Sequence, residues 1–236
     1  MRARARAAAA LPLVAWLFAA SPASAGESFH YRWNLRGFLG TLASLFVPGQ
    51  GEGLLTVEQL PGGRERGELR VTSTESDTGE YFLYGSEWDP AGRRTLRAWS
   101  DLVWRGEKKA KQAELADDKV LDIVAAIQLL RRERPEYALR LEIWSDGRLY
   151  PVVVLPRERE RRRLAGREVE ARHFSVHGVS LPGRRLWKGE LDLWIAGDVV
   201  ATPVEIVVAR RGARVRLQLV ETPTLAPAAP SEEPPP

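Results

Sequence analysis

From residue 29 onward the chain alternates apolar and polar residues in short runs, the period of half-buried β-strands. Phe29–Arg36 (FHYRWNLR) places Phe29, Tyr31, Trp33 and Leu35 on one face. Gly53–Leu60, Gly67–Glu75, Tyr81–Trp88, Thr95–Val103 and Lys108–Leu115 repeat the pattern. Pro61-Gly62-Gly63 and Asp89-Pro90-Ala91-Gly92 separate these runs as turns. Gly37–Pro48 is largely apolar and helix-compatible at its centre, TLASLF, and reads as a short helix or a loop packed on the sheet.

The period changes once. Val120, Ile123, Val124, Ile127 and Leu130 recur at helical spacing. Asp117 stands where an N-cap belongs, arginines crowd the other end, and Pro135 stops the pattern. This predicts a helix over Asp117–Arg134 with a wide apolar face turned to the sheet. Alternation then resumes in Tyr137–Trp144, and Asp146-Gly147 leads back into Arg148–Leu155 as a hairpin. Pro156–Gly166 and Arg167–His177 read as strand, turn and strand, followed by Trp187–Ile195, Val204–Ala209 and Ala213–Val220. Within these, Leu191–Val208 (LDLWIAGDVVATPVEIVV) reads as an antiparallel pair joined through Gly197-Asp198, with Pro203 at an edge or strand start. Roughly a dozen strands and one helix predict a mainly β fold: a single domain of curved or barrel-like antiparallel sheet with one central amphipathic helix packed on it.

The ends differ from this middle. Arg2, Arg4 and Arg6 precede an apolar run of 14 residues, Ala7–Ala20, and Ala23-Ser24-Ala25 supplies a small-x-small cleavage pattern. Residues 1–25 read as a secretory signal peptide cut near Ala25, the run being too short for a membrane anchor. The spaced arginines fit the general export route better than the twin-arginine one. The β-rich domain takes 26–221, and 222–236 reads as a disordered, proline-rich tail. The expected address is the periplasm, as a protein soluble after cleavage.

Charge and composition narrow the functional classes. The whole chain carries +4; residues 1–25 hold three arginines and no acid, leaving +1 on the remainder. A near-neutral exported domain has no mandate for nucleic acid. Cysteine is absent, which removes disulfides, thiolate metal sites and thiol catalysis. No phosphate loop, dinucleotide fingerprint or G-x-S-x-G elbow occurs, and the scattered carboxylates define no pair for glycoside hydrolysis. No catalytic residue, cofactor or metal is assigned. His173 and His177 would suit a metal on a helix, but on a strand their spacing is about 13 Å, so they read as exposed or rim residues. The run Arg157–Arg163 could dock an anionic partner; its glutamates, with Glu168 and Glu170 across a hairpin, favour a solvated, ion-paired ribbon.

Tryptophan carries the remaining signal. Trp33, Trp99, Trp144 and Trp194 each stand inside an alternating run. On a curved sheet they could line an apolar pocket for a lipid-like small molecule, or simply fill the core.

Leu191–Leu219 also resembles the C-terminal signature of an exported bacterial family, domain of unknown function 3108. The matching positions are Leu191, Leu193, Trp194, Asp198, Pro203, Val204 and Leu219. The helix VLDIVAAIQLLR resembles the family's Asp-x-x-Ser-x-x-Tyr-x-x-Arg region, with Asp122 and Arg131 in place but Ala125 and Gln128 where serine and tyrosine stand. LEIWSDGRLYPVVV resembles the hairpin that follows, and the first strand HYRWNLRGFLG matches more weakly. The resemblance implies an exported, mostly β protein with no assigned reaction, cofactor or catalytic residue. The functional expectation is a non-catalytic binding or accessory module of the cell envelope that holds an apolar small molecule or an envelope protein. The alternatives are a structural or interaction protein, or a hydrolase with an unrecognised carboxylate site.

Overall fold

The computed structural model describes residues 26–36, 49–74, 79–104, 106–115, 117, 120–210 and 213–225. The segment read as a signal peptide, the Gly37–Pro48 stretch and the tail beyond residue 225 lie outside them. The strands are β1 (Gly26–Arg36), β2 (Gln50–Gln59), β3 (Glu65–Ser73), β4 (Tyr81–Asp89), β5 (Arg94–Trp104), β6 (Glu107–Glu114) and β7 (Val120–Asp122). Helix α1 (Ile123–Glu133) follows, then β8 (Leu139–Ser145), β9 (Arg148–Leu164), β10 (Arg167–Gly178), β11 (Gly189–Ala196), β12 (Pro203–Arg210), β13 (Ala213–Leu219) and β14 (Thr224–Leu225).

All of them belong to one sheet, in the order β6-β5-β4-β3-β2-β1-β13-β12-β11-β10-β9-β8-β7, with β14 paired to β1. Two meanders, β1 to β6 and β8 to β13, are joined where β1 pairs with β13. Every pairing is antiparallel except β7 with β8. The expected mainly β class with one helix is therefore observed, as a single large curled sheet. Its two ends meet through side chains. Ala98 on β5, Val120 on β7 and Trp144 on β8 form one buried cluster, and the Asp122 amide donates to Thr95 Oγ1 across the seam at 3.1 Å. No backbone ladder joins β7 to β5 or β6 among the described residues.

The alternation explains the inner face. Phe29, Tyr31 and Trp33 point inward from β1, Leu55 from β2, Phe174 and Val176 from β10, Leu193 and Ile195 from β11, and Leu217 and Leu219 from β13. They form one core with Val124, Ile127 and Leu130 of α1, so the helix lies against the concave side. Its opposite flank, Ala125 and Leu129, packs on Trp88 and Leu121. A helix buried on two flanks needs the wide apolar face its sequence shows.

The helix begins later than its sequence suggests. The N-cap is Asp122, not Asp117: Asp122 is extended, and its carboxylate accepts from the Val124 and Ala125 amides at 3.0 and 2.8 Å. Val120, in phase with the helical apolar stripe, and Leu121 beside it instead pair in parallel with Glu142 and Ile143. Strand pairing at the seam satisfies their backbone and buries both side chains, so the helix starts only where the ladder ends. Arg134 closes α1 in the left-handed region, its amide bonded to the Leu130 carbonyl.

Two further boundaries move. β9 runs unbroken through Pro156 to Leu164, with a register shift opposite His173 that absorbs the proline. Gly197-Asp198 opens a longer loop in which Asp198 accepts from the Thr202 amide and hydroxyl at 2.9 and 2.6 Å; Pro203 then starts β12. In the stretch read as tail, Thr224 and Leu225 pair with Ser28 and Glu27.

Candidate functional site

The concave face carries the main hydrophobic core, and α1 packs against it. Polar contacts at both ends of the helix add to its apolar packing. At its start, Asp122 is buried; burial pushes its carboxyl above the ordinary carboxylate value, and the Ala125 and Val124 amides that donate to it oppose that push. At its end, Arg131 donates to the carbonyls of Ala201 (3.0 Å) and Val200 (2.8 Å), to Gln128 Oε1 (2.6 Å) and to Glu27 Oε2 (2.6 Å). Its guanidinium also stands 4.6 Å over the Phe29 ring. Arg132 reaches the buried carboxylate of Glu65, which also accepts from Gln59 Nε2 and Trp88 Nε1. Three charge-assisted clamps thus tie α1 to β1, β3 and the loop before β12.

Inside this arrangement one donor is left over. Gln128 is 3% exposed, and its Nε2 has no hydrogen-bond partner among the described residues. Tyr31 is satisfied, donating to the Pro203 carbonyl at 2.8 Å, and burial raises its phenol far above the ordinary value against the lowering effect of Arg131.

The four tryptophans do not converge. Trp33 joins the main core and donates from Nε1 to the Thr72 carbonyl at 2.8 Å. Trp144 is buried at the seam. Trp99 is half-buried, under the guanidinium of Arg66 at 5.2 Å. Trp194 belongs to a separate cluster with Ala171, Ala196, Val204 and Val207. Two of them share one role. Trp33 is paired across the ladder with Gly51, and Trp99 with Gly85. A Cβ on Gly51 would stand 2.4 Å from Trp33 Nε1, and one on Gly85 2.3 Å from Trp99 Cε2. Each indole lies flat over a glycine on the neighbouring strand, filling the space a side chain would take.

Trp194 faces the convex side, since Leu193 and Ile195 point inward. There the β9–β10 ribbon bends at its bulge and folds back over β11 and β12. The Arg162 guanidinium lies 4.3 Å over the Trp194 ring and 3.6 Å from Glu205, which is itself bonded to Arg216 by both oxygens. The His173 ring stacks on the other side of Trp194, centroids 4.3 Å apart and planes 11° from parallel. His173 Nδ1 lies 2.9 Å from Glu160 Oε1 and Nε2 2.8 Å from Asp192 Oδ1. His173 is therefore no exposed rim residue: its side chain is 15% exposed and clamped between two carboxylates, while His177 is half-buried. The expected ion pairs across the ribbon are present as Arg159–Glu170 (3.3 Å) and Arg161–Glu168 (3.8 Å).

Ser175 brings a hydroxyl to this cluster, donating to Asp192 Oδ1 at 2.9 Å. The order is serine–aspartate–histidine. A nucleophilic serine needs the imidazole at its hydroxyl and the acid behind the imidazole. Here the acid sits between them, so the imidazole does not reach the hydroxyl. Sequence alternation could place His173, Ser175 and Asp192 on one face, but the fold-back that packs Arg162 and Glu160 onto it left no sequence signal.

No family model matches the sequence, and no curated protein matches it. Among solved structures, the chain is similar to a β-barrel-like protein of domain of unknown function 1849 from Brucella abortus, at 7% identity over 88% of this chain and 100% of that one, with a TM-score of 0.43. It is also similar to the Mycobacterium tuberculosis lipoprotein LppX, at 10% identity over 87% of this chain and 88% of that one, with a TM-score of 0.29. No helix among the described residues is long and apolar enough to cross a membrane.

Proposed function

We propose that the protein is an exported, non-catalytic binding module of the cell envelope that takes an apolar ligand between α1 and the concave sheet. The observation that carries this reading is the division of forces there. The sheet side is a continuous apolar lining, including Phe29, Leu55, Phe174, Leu193 and Leu217. α1 closes over this lining with Val124, Ile127 and Leu130, and polar contacts at its two ends fix its position. Gln128 Nε2 would give an ester or carboxylate oxygen of the ligand a hydrogen-bond partner. Membership of the domain of unknown function 3108 family is part of the proposal: of the two helix residues that match it, Asp122 caps α1 and Arg131 ties its end to β1 and the loop before β12.

The chain offers its own test. A Cβ on Gly67 of β3 would lie 3.8 Å from the Cβ of Val124 on α1. That is the spacing a disulfide needs, and the protein has no cysteine to interfere. In the Gly67→Cys/Val124→Cys variant, oxidation locks the helix to the sheet. Native mass spectrometry of the parent, purified from its own envelope, should show a bound lipid-sized mass. The oxidised double variant should be empty, and reduction followed by lipid addition should reload it. A parent that is consistently empty and shows no thermal shift with lipid would sink the reading, and so would an oxidised variant that still carries ligand.

Docking through a sheet edge is the weaker reading. β6 is exposed almost throughout, but Lys108, Lys109 and Lys111 line it, the charge pattern that discourages added strands.

A further inference from the structure

The fold-back of the β9–β10 ribbon creates a second feature, away from the helix. Arg32 and Asn34 alternate with Tyr31, Trp33 and Leu35, so they face the convex side of β1; Gln218 does the same on β13. The ribbon turns through Ala165 and Gly166, both at positive φ (47° and 83°), a two-residue hairpin turn. Its tip comes down beside those three residues. Arg32, Asn34, Arg163, Ala165, Gly166 and Gln218, with Leu219 and Val220 at one wall, line a groove of about 440 Å³.

The charges around this groove are uneven. Along the ribbon, Arg159, Arg161 and Arg162 each meet a glutamate. Arg216, next to Gln218, is held by Glu205. Arg163 and Arg32 make no ion pair among the described residues, and both are exposed. Glu52 stands opposite Arg32 in the β1–β2 ladder but forms no ion pair with it. Glu221 follows Val220 and does not line the groove. Glu168 stands opposite Arg163 in the β9–β10 ladder but is ion-paired with Arg161, so two guanidinium forks from different elements share one groove that no carboxylate of the described residues lines. Planar forks of this kind suit the oxygens of a phosphate group, which can accept paired N–H bonds from each. The groove has room for more than a bare phosphate, and Leu219 and Val220 give the carbon side of an ester an apolar wall.

We propose that this groove is a binding site for a phosphate group, with Arg32 and Arg163 as its anion ligands. The group can come from a phospholipid head or from free phosphate, and two probes separate the sources. Isothermal titration of the full chain at low salt uses inorganic phosphate in one arm and monomeric dihexanoyl phosphatidylglycerol in the other. Saturable binding is expected in at least one. Tighter binding of the lipid assigns the site to headgroups; equal or tighter binding of phosphate assigns it to the free ion. Arg32→Gln and Arg163→Gln should each weaken binding about tenfold, the size of one charge-assisted hydrogen bond. Their melting temperatures should stay near the parent's, because both side chains are exposed and unpaired. Arg148→Gln, the same charge change at the far end of β9, should leave binding unchanged. Absence of binding to both probes overturns the proposal, as does an Arg148→Gln loss equal to that of Arg163→Gln.

Discussion

Arg131 of α1 and Glu27 of β1 meet at 2.6 Å, with the arginine side chain 5% exposed and the glutamate 31%. The pair sits beside two backbone carbonyls that Arg131 also serves, so the arginine is a three-way junction between helix, first strand and the loop before β12. Arg131→Met removes every one of these bonds and strands the Val200 and Ala201 carbonyls under the helix. The expected loss is about 3 kcal/mol, the low end for breaking a buried pair from one side. Arg131→Lys should recover only part of it, since an ammonium lacks the planar fork. Urea unfolding of the three proteins measures this; a loss below about 1 kcal/mol would place the helix anchor elsewhere.

At the other end of α1, Asp122 predicts a pH dependence. Its folded-state pKa lies above the ordinary 3.8 because the carboxyl is buried. Protonation is then favoured in the folded state, so the group's contribution to stability is full below the ordinary value. It declines as pH rises from there through the raised folded value, and stays low beyond. Asp122→Asn keeps an oxygen for the Val124 and Ala125 amides and carries no proton to lose. Its stability should therefore be flatter between pH 4 and neutrality than the parent's. Asp122→Ala should cost about 1–2 kcal/mol as a lost cap, and the cost should be largest at the acid end of the range, where the contribution of Asp122 is full. Chemical denaturation across that range reads both.

Trp194 is sandwiched between Arg162 and His173, and it closes the small convex cluster. Trp194→Ala should cost about 3–5 kcal/mol, the range for a buried aromatic. The ribbon should also become sensitive to trypsin at Arg157–Arg163, because the surface it lies on is gone. Trp194→Phe should restore most of the protection. A Trp194→Ala protein as stable and as protease-resistant as the parent would mean the ribbon is held by its ion pairs alone.

The Trp99–Gly85 pair predicts coupling. Gly85→Ala puts a methyl group into the indole plane and should cost about 1–3 kcal/mol. Trp99→Leu alone loses buried area. In the double variant the smaller side chain leaves room for the methyl, so the two losses should add to less than their sum, by about 0.5 kcal/mol or more. A double-variant cycle by thermal or urea unfolding tests this, and strict additivity would show that the indole moves aside freely.

Most strands were legible because alternation records which residues face the core, whatever the partner strand. Phe29, Tyr31 and Trp33 are buried as their spacing predicts, and Asp146-Gly147 turns with both residues at positive φ, as Asp-Gly between two alternating runs predicts. The helix start was misplaced for a definite reason. Val120 fits a helical stripe locally, and only the distant β8 offers it and Leu121 a ladder. The tryptophans illustrate the same limit. Each stands inside an alternating run, but whether four aromatics meet or disperse depends on curvature and register. Register put Trp33 and Trp99 over glycines, and the face put Trp194 outside.

The sequence by itself determined the class of fold, the one helix and the inward set of side chains, because these follow from period and local turn chemistry. The tertiary structure decided where the sheet's ends meet, which acid caps the helix, and what the charged ribbon does. These depend on contacts between residues far apart in the chain: Thr95 with Asp122, Glu27 with Arg131, Arg162 with Trp194. Period fixes a face, but only the closing of the curled sheet brings two faces together.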